Sequence, residues 1–405
     1  VSDTPLWQHD PASNGREGFG RDPALDPAVS NILSAAAPEH QVVHDAVTAP
    51  GGAGDRFLHN VTHHFWADNG KSVASLFDWT GPAAQGPEGQ IAGETAHAYS
   101  SYIGSHPDEL LKLPGNHTLG QVNPDLTQGM AHGLTPYVTN IAGEHNALTG
   151  SFGAFDTGAT QDNDFMSTSK GVFSVLNTDP QAAQLFDGKA YEEILRDQNS
   201  YAKGIAENVP NAVLDNARMQ QADTLRALID VGTNNALDAK GVNADLQAAD
   251  AYASKSSAYD LAVKTLSAGA DASPGGPVAA LGADTLGSAL KSDIIGTPPV
   301  PSAHPALYSN MTEYEADRAV LNGLIANGTH VNLPADFFGQ GDGGSDIKGF
   351  AEYSQHPTAN TLAETHYNTA VRDALASIVG TNNVAPIGME KDTYNNITKN
   401  PHPWS

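Results

Sequence analysis

The chain has 405 residues, 46 of them acidic and 20 basic, for a formal charge of −26. It is long enough to bury a large core. Nowhere does it cluster the Lys and Arg needed to displace counterions from a phosphate backbone, which argues against nucleic acid and anionic lipid surfaces as partners. The absence of cysteine excludes disulfides, thiolate zinc sites, iron–sulfur clusters and cysteine nucleophiles.

The first stretch, VSDTPLWQHD, has neither the basic nor the apolar region of a signal peptide. The first 30 residues, dense in Asp, Pro and Gly, read as an extended lead-in. A helix fits PAVSNILSAAAPEHQVVHDAVT, with a break at Pro38, and TAPGGAGD closes it. Asp55 to Asn69 has helical periodicity, with Leu58, Val61 and Phe65 on one stripe and Asn69-Gly70 as its stop. A short helix through Val73, Leu76 and Phe77 follows, GPAAQGPEGQ reads as a loop, and Gln90 to Gly104 is helical again.

From His106 to His145, Pro and Gly recur every few residues, so short helices joined by ordered turns are expected. Asp179-Pro180 marks a helix start in the next segment. Ala212 to Gly232 and Val242 to Ala268 are the longest periodic segments and predict a long antiparallel helical hairpin. TPPVPSAHPA, with three prolines in its first five residues, is the clearest linker. Beyond it, Thr312 and Glu315 form a capping box, with Leu321, Leu324 and Ile325 turned inward, and a last long helix stops at Gly380. No alternating strand pattern occurs. The fold class is all-α, an irregular multi-helix bundle.

Ten of the sixteen histidines fall between His40 and His145. His40 and His44, and again His59 and His63, stand at i and i+4, the spacing with which zinc metallopeptidases hold their ion. In those enzymes a glutamate after the first histidine deprotonates the metal-bound water. Gln41 and Asn60 occupy that place here, and an amide is no base, so that chemistry is excluded while metal binding is not. On a helical wheel His59, His63 and Trp66 lie away from Leu58, Val61 and Phe65. Their first reading is as packing and hydrogen-bonding groups, their second as metal ligands. Glu94-x-x-His97 supplies one half of a di-iron motif, whose other half is missing. The candidate ligands for a divalent metal are therefore His40, His44, His59, His63, His97 and Glu94. A shared site would need His44, His63 and His97 to converge with Asp45 or Glu94.

Carboxylates at 156–164 and 342–346 have spacings that could take Ca²⁺ but fit no EF-hand, and their first reading is as solvated turns. There is no G-x-S-x-G elbow, no phosphate-binding P-loop and no dinucleotide fingerprint. Ser267 to Gly296 has the Ala/Gly character of a pore-forming hairpin, but Asp271, Asp284, Lys291 and Asp293 interrupt it, so a packed soluble hairpin is the first reading. No run approaches the roughly 20 apolar residues of a stable membrane-spanning helix.

Several phrases carry a resemblance: HHFWADNGKSVASLFDWTG, HPDELLKLPGNHTLGQVNPDLTQGMAHGLTPYVTNIAGE, KGVFSVLNTD and EADRAVLNGLI. Together they resemble a group of actinobacterial, mostly mycobacterial, proteins described as containing a TPR repeat region. The resemblance spans roughly residues 50 to 400. No 34-residue self-similarity is visible, so a true TPR array is not expected. The resemblance implies an exported or cell-envelope protein and carries no catalytic residues with it.

The chain divides into a lead-in and first helix at 1–50, a His-rich helical region at 51–209, a helical hairpin region at 210–296 and a C-terminal helical region at 297–405. Its expected role is protein–protein interaction or self-association outside the cytoplasm, extracellular or in the envelope, with no catalytic activity evident. The alternative is a metal-dependent enzyme or toxin-like effector built on the His-rich helices.

Overall fold

A computed structural model describes residues 26–145, 149–155, 166–209, 212, 217–268, 290–296, 298–299, 311–339, 346–354, 361–388 and 390–402. Outside them lie most of the lead-in, the acidic loop at 156–164, most of 342–346, most of the Pro-rich linker and the Ala/Gly-rich stretch 269–289. The protein is all-α. Among the described residues extended pairing is limited to two isolated bridges, Leu113 with His117 and Phe338 with Ile347.

The chain forms two compact units. The first comprises 1–187, 228–254 and 400–405, and the second 188–227 and 255–399. The first unit opens with α1 (Asp26–Ala36), α2 (His40–Val47), α3 (Ala53–His63) and α4 (Lys71–Asp78). The break between α1 and α2 falls at Pro38, whose ring cannot continue a helix. The short α5 (Thr80–Ala83) occupies part of the stretch expected as loop, and α6 (Gly89–Ser105) follows it. Then come α7 (Pro107–Leu110), α8 (Leu119–Val122), α9 (Pro124–Leu134) and α10 (Val138–Ile141), the expected short helices on ordered turns, and α11 (Ser167–Leu176). The helix α12 (Pro180–Ala206) starts at Pro180, with Asp179 Oδ1 accepting from the backbone N–H groups of Gln181 and Ala182 at 3.0 and 2.9 Å.

Close approach through small residues organises this unit. Where α6 and α11 cross, a Cβ placed on Gly171 would stand 2.2 Å from the Gly104 carbonyl oxygen, so only hydrogen fits. Gly129 of α9 meets Ala74 of α4 in the same manner. Around these crossings Phe77, Tyr99, Leu126, Met130, Tyr137 and Phe173 are buried, with the Phe77 and Tyr99 rings edge to face at 4.9 Å.

The expected hairpin is present as α13 (Ala217–Ala239) and α14 (Ala244–Ser267). Its four-residue turn uses Gly241 at φ +69, and Gln247 Nε2 donates back to the Asn234 carbonyl at 3.2 Å. In the second unit, α15 (Glu313–Ala326), α16 (Phe350–Ser354), α17 (Thr361–Val379), α18 (Thr381–Gly388) and α19 (Glu390–Thr398) enclose a core that includes Tyr201, Leu321, Leu324, Phe337, Tyr367, Val371 and Leu375. The capping box starts α15, with both Thr312–Glu315 bonds made, and Gly380 at φ +87 stops α17. Among the described residues helix lengths run from 4 to 27 residues.

Candidate metal centre

The helix expected over Asp55 to Asn69 ends at His63, and the reason is local. His64 takes an extended conformation, φ −78 and ψ 135, and the chain turns inward. Trp66 Nε1 donates to the Val61 carbonyl at 2.9 Å, taking the acceptor that the N–H of Phe65 would need to continue the helix. Asn123 clamps the bend: its Oδ1 accepts from Trp66 N at 3.1 Å, and its Nδ2 donates to the His64 carbonyl at 2.7 Å. Trp66 is therefore fully buried rather than beside His59 and His63, and the half-buried Phe65 lies past the helix end. His64, which spacing did not single out, is buried against Asp26, Nε2 to Oδ1 2.7 Å.

With α3 ended, His59 and His63 project from its last two turns toward the junction of α6 and α7. Their rings lie 3.8 Å apart, tilted by 31°. Glu109 of α7 completes a group of three: its Oε2 stands 3.4 Å from His63 Nε2 and 3.8 Å from His59 Nδ1. One ligand atom from each residue lies within 4.8 Å of the other two. Among the described residues this is the group of three His, Cys, Asp or Glu with metal-binding spacing.

The surroundings set the protonation of the rings. His63 Nδ1 donates to the His59 carbonyl at 3.1 Å, which leaves the lone pair on Nε2, the atom facing Glu109. Burial, followed by the neighbouring His59 ring, lowers the His63 pKa to about 4. Burial also lowers that of His59, with the Glu109 carboxylate opposing and His106 adding to the shift. Tyr102 Oη lies 3.3 Å from His59 Nδ1, and burial pushes its phenol well up, so it is a donor at every ordinary pH. The His106 ring stacks on Tyr102 at 4.4 Å and caps α6 through a bond from Nδ1 to the Tyr102 carbonyl at 2.9 Å.

The other sequence candidates stand elsewhere. His40 stacks on Trp79, centroids 4.0 Å apart and planes within 6°, and its Nδ1 is 2.7 Å from Glu88 Oε2. His44 lies between Asp45, at 3.0 Å, and Glu94, at 2.9 Å, and so fastens α2 to α6. Hydrogen bonds from Gln90 and His44 hold the Glu94 carboxyl below its usual range. His97 packs against Phe152 and Phe155, ring centroids 5.3 and 5.1 Å away, and burial lowers its pKa. His44, His63 and His97 thus occupy three separate environments. Glu109 was not singled out from sequence, because only the placement of α7 at the end of α3 gives it a role.

Residues 3–79 match a family model described as a TPR repeat domain. The matched span takes in α1 to α4 and ends at Trp79, so of the phrases that carry the resemblance it contains most of the first. Fold and match together define an all-α protein with a TPR repeat domain at residues 3–79. Neither a curated protein nor a solved structure matches the chain. Among the described residues no helix is long and apolar enough to cross a membrane.

Proposed function

We propose that the protein works by binding another protein through the α1–α2 face of its first unit. The observation that carries this reading is the TPR repeat domain match over 3–79, since helical repeat domains present extended surfaces to protein partners. Within that span Ile32 of α1 and Val42 of α2 are 61% and 57% exposed, two of the four large hydrophobic residues most open to solvent among the described residues. Aliphatic side chains held in water gain free energy when a partner covers them, on the order of 25 cal/mol per Å².

The test is site-specific photo-crosslinking in cells, with the reactive residue at position 32, at position 42 or at the exposed control Lys203. Discrete protein adducts at 32 and 42, absent at 203, are the expected result. No adducts, or equal adducts at all three positions, would overturn the reading. Adducts to a second copy of the chain would make the partner the protein itself, which sedimentation velocity over a concentration series would register as a rising mass.

We further propose that the protein stands in the envelope of an actinobacterium, or outside the cell. The resemblance of HHFWADNGKSVASLFDWTG and the later phrases supports this, and so does a strongly acidic chain suited to open aqueous surroundings. Immunoblotting of envelope, culture-filtrate and cytosolic fractions tests it, and a purely cytosolic signal would remove it.

A further inference from the structure

We propose that His59, His63 and Glu109 form a binding site for one divalent transition-metal ion, with zinc the best fit. This goes beyond the protein-binding reading and stands on separate observations. Two ligand atoms on a tetrahedral zinc at ~2.0–2.1 Å are separated by about 3.4 Å. His63 Nε2 and Glu109 Oε2 are already 3.4 Å apart, and His59 Nδ1 is 3.8 Å from the same carboxylate oxygen. To ligate through Nδ1, His59 exchanges the Tyr102 hydroxyl, 3.3 Å away, for the ion.

The lone pairs make the stronger argument. The bond from His63 Nδ1 to the His59 carbonyl fixes the tautomer, so Nε2 presents a lone pair to Glu109. Glu109 Oε2, a carboxylate oxygen with ligating lone pairs, stands 3.4 Å from that nitrogen. A histidine that ligates a metal through one nitrogen and donates from the other to a backbone carbonyl is the usual arrangement. Here the carbonyl comes from the same helix, one turn earlier.

Donor type selects the ion. Two imidazoles and one carboxylate suit zinc and its neighbours in the first transition row, while Ca²⁺ and Mg²⁺ call for oxygen ligands alone. His63 is the inner ligand, its side chain 15% exposed, whereas His59 and Glu109 are 38% and 47% exposed. An ion held there would be reachable by solvent from the side of His59 and Glu109, as in three-ligand zinc sites that keep a solvent molecule. The long-range field helps as well, since a net charge of −26 concentrates cations around the protein.

The experiment uses the full chain without an affinity tag, because a His tag would itself take up metal. Zinc is titrated calorimetrically, and cobalt is added separately to read the visible bands of a four-coordinate site. The expected result is one equivalent of zinc, weakened about tenfold or more in His63→Gln and in Glu109→Gln, with His44→Gln and His97→Gln unchanged. Glu109→Gln is the safeguard: its partly exposed side chain can be changed without opening the core, and circular dichroism verifies the fold of each variant. Failure to take up zinc or cobalt, or an affinity equal to the parent in both His63→Gln and Glu109→Gln, would overturn the proposal.

Discussion

His63 Nε2 and Glu109 Oε2 face each other at 3.4 Å, although three helices separate α3 from α7 along the chain. One atom rests on the last turn of α3 and the other on the short helix after α6, so the pair reports how these elements pack. An ion bound there would tie the two elements together.

Zinc should therefore stabilise the folded chain. A ligand that binds only the folded form at about 100 times its dissociation constant adds about 2.7 kcal/mol. Urea unfolding followed by circular dichroism should show a higher midpoint with zinc, returned to the starting value by a chelator. His63→Gln should show a smaller rise at the same zinc concentration, about 1.4 kcal/mol or less for a site weakened tenfold or more.

Asn123 is fully buried and serves both backbone groups of the bend after α3. Asn123→Ala would leave the Trp66 N–H and the His64 carbonyl without partners, at a cost of about 1–3 kcal/mol each. Asn123→Asp keeps the acceptor and loses the donor, so its loss should be smaller unless the carboxylate ionises in the buried site. Equilibrium urea denaturation of the two variants measures the difference.

Gly171→Ala places a methyl group within 2.2 Å of the Gly104 carbonyl oxygen. The obstruction is backbone, which cannot rotate aside, so α6 and α11 must separate. The expected loss is at the upper end of the roughly 1–3 kcal/mol typical of overpacking, or beyond it. Weakened near-ultraviolet dichroism with helical signal retained would mark displaced helices in a chain that still folds.

Asp317 lies buried in the second unit with neither carboxylate oxygen hydrogen-bonded, facing Arg372 and Glu313. Burial raises its pKa from 3.8 to about 7, against the opposing pull of Arg372. Because the folded form holds the proton more tightly than the unfolded one, the stability this group contributes is fully present below about pH 4. It is lost as the pH rises to about 7, at no more than about 1.4 kcal/mol per pH unit. Asp317→Asn should flatten that part of the profile and leave the variant more stable than the parent near neutral pH. Denaturant midpoints at about pH 4.5, 6 and 7.5 measure it; parallel profiles for the two proteins would contradict the assignment.

Local chemistry made much of the fold legible in the sequence. Pro38 divides α1 from α2, Asp179-Pro180 starts α12, Thr312 and Glu315 cap α15, and Gly380 ends α17, each through backbone effects that act within a few residues. The i, i+4 spacing likewise puts His59 and His63 on one face of a helix whatever packs beside it.

Long-range contacts decided the rest. Helix α3 stops at His63 rather than Asn69 because Trp66, close by, takes the Val61 carbonyl and Asn123, distant in sequence, holds the bend that follows. Pairing His44 with Glu94 and bringing Glu109 to His59 and His63 depend on how α6 and α7 lie against earlier helices, and packing His97 on Phe152 and Phe155 on how the segment after α10 lies against α6. Periodicity records which side of a helix is apolar. Which carboxylate meets a given imidazole depends on the crossing of helices, and close contacts such as Gly104 on Gly171 fix that crossing only in the folded chain.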